Sequence, residues 1–152
     1  MKDDKILIVD DEQGMRYFVS RYLKHIGYNN VETACDTKEA LEVFQKENHS
    51  LLIIDIHMPG ESGLVLMEKA KKLLPDTVFI IVTASDDLCD AVASLNLGAD
   101  RYLLKPINDD ELQHAVKNSL EKRRLVLENR EYKKMLAERT TENRGTNKTV
   151  ET

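Results

Sequence analysis

The sequence predicts a doubly wound α/β domain, a parallel sheet with helices on both faces. Short continuous apolar runs recur along the chain, among them Ile6-Leu7-Ile8-Val9, Leu51-Leu52-Ile53-Ile54 and Val78-Phe79-Ile80-Ile81-Val82. Fully buried parallel strands read in this way. Between the runs, apolar residues recur at helical spacing, so that five strands alternate with five helices. Four strands also end on polar residues, namely Asp10-Asp11, Asp55, Thr83 and Lys105. Right-handed crossovers on a sheet covered on both sides then make the fold doubly wound.

The first strand, Lys5 to Val9, runs into Asp10-Asp11-Glu12, either aspartate of which can cap the helix that follows. Met15, Phe18, Val19, Tyr22 and Ile26 form the expected inward stripe of that helix, and Gly27 closes it. Asn30 to Ala34 is a short strand with a weaker pattern. Thr37 can cap a helix carrying Ala40, Leu41 and Phe44 inward. The Leu51–Ile54 strand ends on Asp55 and the turn residues Pro59-Gly60. A helix from about Ser62 then turns Leu66, Met67, Ala70 and Leu74 to one side. Val78 to Val82 is the most apolar strand and ends in Thr83-Ala84-Ser85. Asp86 or Asp87 opens a helix expected to face Leu88, Val92 and Leu95 inward, closed by Gly98. The last strand, Arg101 to Leu104, ends in Lys105-Pro106, and Asn108 can cap a final helix running without Gly or Pro to about Arg139.

The chain of 152 residues suffices for one domain with a modest appendage. Its hydrophobic fraction of 41% and charged fraction of 32% suit a soluble cytoplasmic protein. No apolar run has the length of a membrane span, and the Lys-Asp-Asp start lacks a signal-peptide pattern. Cys35 and Cys89 have no metal-ligand spacing and read as reduced thiols, buried as small hydrophobes. Residues 1–120 carry 13 basic and 21 acidic side chains, and residues 121–152 carry 9 and 6. An acidic body argues against direct nucleic-acid binding, and the mixed-charge tail reads as a solvated helix face. The expected organisation is a domain over 1–122, a helical extension over 123–140 and a disordered tail over 141–152.

In a doubly wound sheet the carboxyl ends of the strands lie along one edge, where ligands bind. Alone, Asp55 could simply open a turn. With Asp10, Asp11, Thr83 and Lys105 on the same edge, the residues converge on one crevice. Adjacent carboxylates repel one another and favour a hard divalent cation, Mg²⁺ rather than zinc. Lys105 offers a positive charge for a phosphoryl oxygen, and Thr83 a hydroxyl. The set suits phosphoryl transfer to a carboxylate, with Asp55 as the nucleophile.

The series Asp10-Asp11, Asp55-x-x-Met58-Pro59-Gly60-x-x-Gly63, Thr83-Ala84, Tyr102 and Lys105-Pro106 resembles the receiver domains of two-component response regulators, a chiefly bacterial family. The likeness covers residues 1 to about 122 and implies the flavodoxin-like strand order 2-1-3-4-5. It implies that Asp55 accepts a phosphoryl group from a histidine kinase or a histidine phosphotransfer protein. By the same resemblance, Asp10 or Asp11, Asp55 and the backbone carbonyl of His57 would hold Mg²⁺. Lys105 would pair with the phosphoryl group, and Thr83 and Tyr102 would form the switch pair. His57 and Ser85 would flank the path of the water that attacks the phosphorylated form and so tune its lifetime. The Lys105–Pro106 bond is expected to be cis, a geometry the resemblance implies and X-Pro energetics permit. A member with the whole set would act on an output domain or a downstream protein, and would catalyse only its own phosphotransfer and autodephosphorylation.

The competing enzyme is a Mg²⁺-dependent aspartyl-phosphate phosphohydrolase of the haloacid-dehalogenase kind. Those enzymes carry a second Asp two residues after the nucleophile, where this chain has His57. A Rossmann nucleotide site is excluded because no Gly-x-Gly-x-x-Gly follows the first strand. His57 is expected to face the surface, as are His25, His49 and His114, and Tyr102 without the family pattern would be a plain strand aromatic. The Leu127–Tyr132 region resembles helical linkers that join receivers to output domains such as cyclic-dinucleotide phosphodiesterases. The chain reads either as a stand-alone regulator acting by protein contact or as a receiver cut from a longer protein within its linker helix. Leu125, Asn129, Tyr132 and Leu136 form a sparse stripe through which the final helix could support a weak homodimer.

Overall fold

The computed structural model describes residues 3–151, and their side chains as far as Thr141. The tail expected over 141–152 falls, apart from Thr141, among residues whose side chains are not described. Five strands and five helices alternate: β1 (Ile6–Val9), α1 (Gln13–His25), β2 (Val31–Ala34), α2 (Thr37–Lys46), β3 (Leu51–Ile54), α3 (Gly63–Leu73), β4 (Val78–Thr83), α4 (Leu88–Asn96), β5 (Arg101–Leu104) and α5 (Asp109–Glu151). The sheet order is β2-β1-β3-β4-β5, all pairs parallel, as the resemblance implied.

Alternation along each strand divides the core in two. Ile6, Ile8, Leu51, Ile53, Ile80 and Leu103 pack with Val19 and Leu23 of α1 and Leu112, Ala115 and Val116 of α5. Leu7, Val9, Leu52, Ile54, Phe79 and Ile81 point the other way, onto Ala40 and Phe44 of α2 and Leu66, Met67 and Ala70 of α3. Both faces of β1, β3 and β4 are thus dry, which is why these strands read as unbroken apolar runs. Full burial of a side chain such as Leu52 contributes about 1.5–3 kcal/mol.

The helix starts follow short-range chemistry. Asp36, Ser62 and Asp87 cap α2, α3 and α4 by accepting backbone N–H bonds, and Asn108 accepts from Asp110 and Glu111 at the start of α5. Two expected caps differ. Asp36 takes the place of Thr37, whose hydroxyl donates to the Glu61 carbonyl instead. Glu12 occupies the cap position of α1, without a side-chain cap bond. Gly27 and Gly98 follow α1 and α4 with φ of 108° and 102°, a region that side chains disfavour. The Lys105–Pro106 bond is cis, as expected.

Four burial expectations are corrected, the first for the two cysteines: Cys35 is only partly buried and Cys89 is exposed. On α4, Leu88, Val92 and Leu95 face outward, at 75%, 46% and 52% exposure. The inward side is built instead around Ser94, whose buried hydroxyl is satisfied by donating to the Ala91 carbonyl. On α1, Leu23 is fully buried whereas Phe18 is 40% exposed and stacks on the partly buried Tyr22. His49 is buried, not at the surface. Its Nδ1 lies 3.1 Å from the Glu47 carbonyl, its Nε2 lies 3.0 Å from Glu32 Oε1, and its ring stacks on Phe44.

Beyond the sheet, Arg130 of α5 forms a two-pronged pair with Asp76, at 2.9 and 2.8 Å. Among the described residues, no helix is long and apolar enough to cross a membrane.

Candidate functional site

Strand register brings the site together. Val9, Ile54 and Ile81 occupy the same level on β1, β3 and β4, so Asp10 and Asp55 emerge side by side from neighbouring central strands. Backbone bonds continue the ladder past the strand ends, Asp55 N–H to Val9 O at 2.9 Å and Asp10 N–H to Ala34 O at 3.2 Å. Thr83 pairs with Leu104, which places Lys105 just beyond the edge; its N–H donates to Thr83 O at 2.8 Å. All the expected strand-end groups therefore share the carboxyl edge of the sheet.

Asp10, Asp55 and Thr83 are buried, and Asp11 is exposed. The Lys105 ammonium lies 2.8 Å from Asp10 Oδ2, 3.2 Å from Asp55 Oδ2 and 3.2 Å from Glu12 Oε1. Burial alone would lower the Lys105 pKa, but the hydrogen bond and charge of Asp10, followed by Asp55, outweigh it and hold the ammonium above its usual value. Asp10 moves the opposite way for a carboxylate in an ion pair. Desolvation is the largest influence and raises its pKa, against the lowering effects of Lys105 and the Glu12 N–H. The partners differ because Lys105 faces two buried carboxylates, whereas Asp10 shares one ammonium and also feels Asp55.

One carboxylate oxygen from each of Asp10, Asp11 and Asp55 lies within 4.8 Å of the others. An all-oxygen set of this size, partly open to water, suits a small hard cation. Gly63 also packs against this edge. A Cβ built on it would stand 2.1 Å from the Asp55 carbonyl oxygen and 2.7 Å from Ile54 Cγ2.

The remaining expected residues lie on the loops leaving β3 and β4. His57 N–H donates to Asp55 Oδ1 at 3.2 Å, and Ser85 N–H to Thr83 Oγ1 at 3.3 Å. Tyr102 is partly buried against the α2/α3 side of the core, and its hydroxyl donates to the Ser85 carbonyl at 2.7 Å. Desolvation raises the Tyr102 pKa.

Three residues joined here were not singled out from the sequence. Glu12 reaches Lys105, and Arg16 Nη1 donates to the Asp10 carbonyl at 2.7 Å. Asp90, on the first turn of α4, binds both His57 and Ser85. The acidic run containing Glu12 was visible, but no spacing signal connects Asp90 to positions on other elements.

The model of the response regulator receiver domain matches residues 6–117. The probable transcriptional regulator ycf27 of Porphyridium aerugineum is 36% identical over 120 residues, which are 79% of this chain and 49% of that protein. The chain thus spans about half the length of this curated relative. The CheY-like receiver domain protein of Methanospirillum hungatei JF-1 is 37% identical, with a TM-score of 0.77 over 80% of this chain and 97% of that one. TrrA of Thermotoga maritima, solved in complex with Mg²⁺-BeF, is also 37% identical, with a TM-score of 0.69 over 76% and 98%. Family match, fold and strand-end residues agree, and the chain belongs to the response regulator receiver domain family.

Proposed function

We propose that the domain is a phosphoacceptor switch in which Asp55 takes a phosphoryl group from a phosphohistidine of a histidine kinase or histidine phosphotransfer protein. The observation that carries this reading is the Lys105 ammonium held between the buried Asp10 and Asp55 carboxylates. An Asp55 oxygen forms the new bond to phosphorus as the bond from phosphorus to the histidine nitrogen breaks; the electron pair stays on that nitrogen, and the ring, already protonated on its other nitrogen, leaves as neutral imidazole. Lys105 is placed to turn from Asp10 to a phosphoryl oxygen, and Thr83 offers its hydroxyl from the adjacent strand end.

Asp10, Asp11, Asp55 and the His57 backbone carbonyl would hold Mg²⁺, and the clustered carboxylate oxygens favour such a cation. When bound, it would neutralise charge on the transferring group. That TrrA was solved with Mg²⁺-BeF supports the reading by family likeness. Thr83 and Tyr102 serve as the switch pair, with the tyrosine ring held inward on Ser85. The domain turns over no external substrate beyond its own phosphotransfer and autodephosphorylation. His57 in place of a second aspartate speaks against the phosphohydrolase. Signalling in the cytoplasm to an output domain or downstream protein, without direct nucleic-acid contact by this domain, completes the reading.

The test is mass spectrometry after acetyl phosphate treatment. Wild type should gain one phosphoryl group in Mg²⁺ and none in EDTA, and Asp55→Asn should gain none. Undiminished labelling of Asp55→Asn would remove Asp55 from the role.

A further inference from the structure

Asp90 lies outside the phosphoacceptor cluster, yet it joins the two loops that border it. Its Oδ2 accepts from the Ser85 hydroxyl at 2.7 Å and lies 2.8 Å from His57 Nε2. His57 stands on the loop leaving β3 and Ser85 on the loop leaving β4, neighbouring strands of the sheet. Both loops are also fastened to the site itself, through the His57 N–H on Asp55 and the Ser85 N–H on Thr83. One carboxylate oxygen on α4 therefore closes a bar, His57–Asp90–Ser85, across the gap between the loops. The bar is anchored further by Tyr102, whose hydroxyl donates to the Ser85 carbonyl.

We infer that Asp90 is a positioning residue that sets the lifetime of the phosphorylated state by holding His57 and Ser85 together across the approach to phosphorus. The inference rests on the phosphoacceptor reading of Asp55. In hydrolysis, a water oxygen bonds to phosphorus opposite the departing Asp55 oxygen. The bond from phosphorus to Asp55 breaks, and the carboxylate leaves with the electron pair. One water proton stays on the hydrogen phosphate product and the other goes to solvent. A small phosphodonor must place its leaving oxygen where that water stands. The bar therefore restrains both reactions by the same geometry, so releasing it should speed both by a common factor.

The experiment measures loss of the phosphoryl group from protein labelled with acetyl phosphate and freed of donor, together with the rate of labelling. It compares wild type, Asp90→Ala, His57→Ala/Ser85→Ala and the triple variant, with Mg²⁺ affinity followed by calorimetry and folding by circular dichroism. Asp90→Ala should speed both rates roughly tenfold, equivalent to about 1.4 kcal/mol, at unchanged Mg²⁺ affinity. The double variant should match it, and adding Asp90→Ala to the double variant should change neither rate further. A merely structural Asp90 would move Mg²⁺ affinity or folding instead, and that outcome overturns the inference. Wild-type kinetics in Asp90→Ala, or an undiminished effect of Asp90→Ala in the double background, also overturns it. Asp90→Asn, which keeps one oxygen acceptor, should lie between wild type and Asp90→Ala. Failure of wild type to label at all would sink the phosphoacceptor reading and this inference with it, whereas normal labelling with no Asp90 effect would sink this inference alone.

Discussion

Replacing Asp10 with Asn should make the metal-free domain more stable while removing its capacity for phosphorylation. At an effective dielectric of about 20, the Lys105 ammonium at 2.8 Å attracts the Asp10 carboxylate by about 6 kcal/mol. Asp55, within 4.8 Å, repels it by about 3.5 kcal/mol at the same dielectric. Exposed Asp11, screened by water, adds about 1 kcal/mol of repulsion. Charge pairing alone thus favours ionised Asp10 by only about 1.5 kcal/mol. Burial reverses the sign, because Asp10 is 4% exposed and desolvating a carboxylate costs several kcal/mol. The raised pKa of Asp10, with burial as its main cause, points the same way. Lys105 would keep Asp55 and Glu12 as partners in the variant. The expected gain is about 1–2 kcal/mol in EDTA at pH 7, or roughly 3–8 °C in melting temperature.

The pH dependence has a definite sign. A carboxyl group whose pKa is higher in the folded than in the unfolded chain costs stability while ionised. The advantage of Asp10→Asn should therefore be greatest at neutral pH and fade as pH falls through the folded value of Asp10 toward 3.8. Mg²⁺ at ten times its dissociation constant should stabilise wild type by about 1.4 kcal/mol and the variant much less, closing or reversing the gap. Urea unfolding followed by circular dichroism, with EDTA or Mg²⁺, measures all three effects. An Asp10→Asn variant less stable than wild type in EDTA would refute the reasoning, since it would mean that the Lys105 pairing outweighs burial.

Two further outcomes are expected. Gly63→Ala would drive a Cβ into the Asp55 carbonyl oxygen, a backbone atom that cannot swing aside; it should lower stability by about 3 kcal/mol and slow labelling of Asp55, and a urea midpoint equal to wild type would contradict this. The α5 stripe Leu125, Tyr132 and Leu136, at 51%, 61% and 43% exposure, should pair weakly with a second copy, the sequence placing Asn129 within the seam; sedimentation should show a concentration-dependent dimer that a chain ending at Arg123 loses, and monomers throughout would rule the pairing out.

What could be read in the sequence, and what could not, divides along a physical line. Strands buried on both faces announce themselves, because every residue of β1, β3 and β4 must be apolar until the chain reaches the edge. The same rule exposed Asp10, Asp55 and Thr83, since a polar residue that ends such a run stands at the mouth of the sheet. Helix orientation is harder. Leu88, Val92 and Leu95 do share one side of α4, but spacing alone does not tell which side meets the sheet, and small Ser94 leaves no hydrophobic signal. His49 and Asp90 were missed for a related reason. Each is placed by partners remote in sequence, Glu32 for His49 and His57 for Asp90, and a pattern read along the chain does not register such pairs.

The charge balance at the crevice links these predictions to signalling. Lys105 is the counter-ion of Asp10, Asp55 and Glu12, so the three N–H donors of its ammonium are already matched by three acceptors. A phosphoryl group on Asp55 would bring about −1.5 to −2 charges to the same place. Lys105 cannot serve those oxygens at full strength and stay 2.8 Å from Asp10, so phosphorylation must draw it away. Asp10 would then be a buried carboxylate without its ammonium, which is the costly case. Two remedies are open to this set of residues, protonation of Asp10 or a cation shared with Asp11 and Asp55. At neutral pH the second keeps Asp10 and Asp11 ionised beside the phosphorylated Asp55. The requirement for Mg²⁺ should therefore be stricter for the phosphorylated state than for folding, and Asp10→Asn should separate the two by folding well without metal while failing to accept the phosphoryl group.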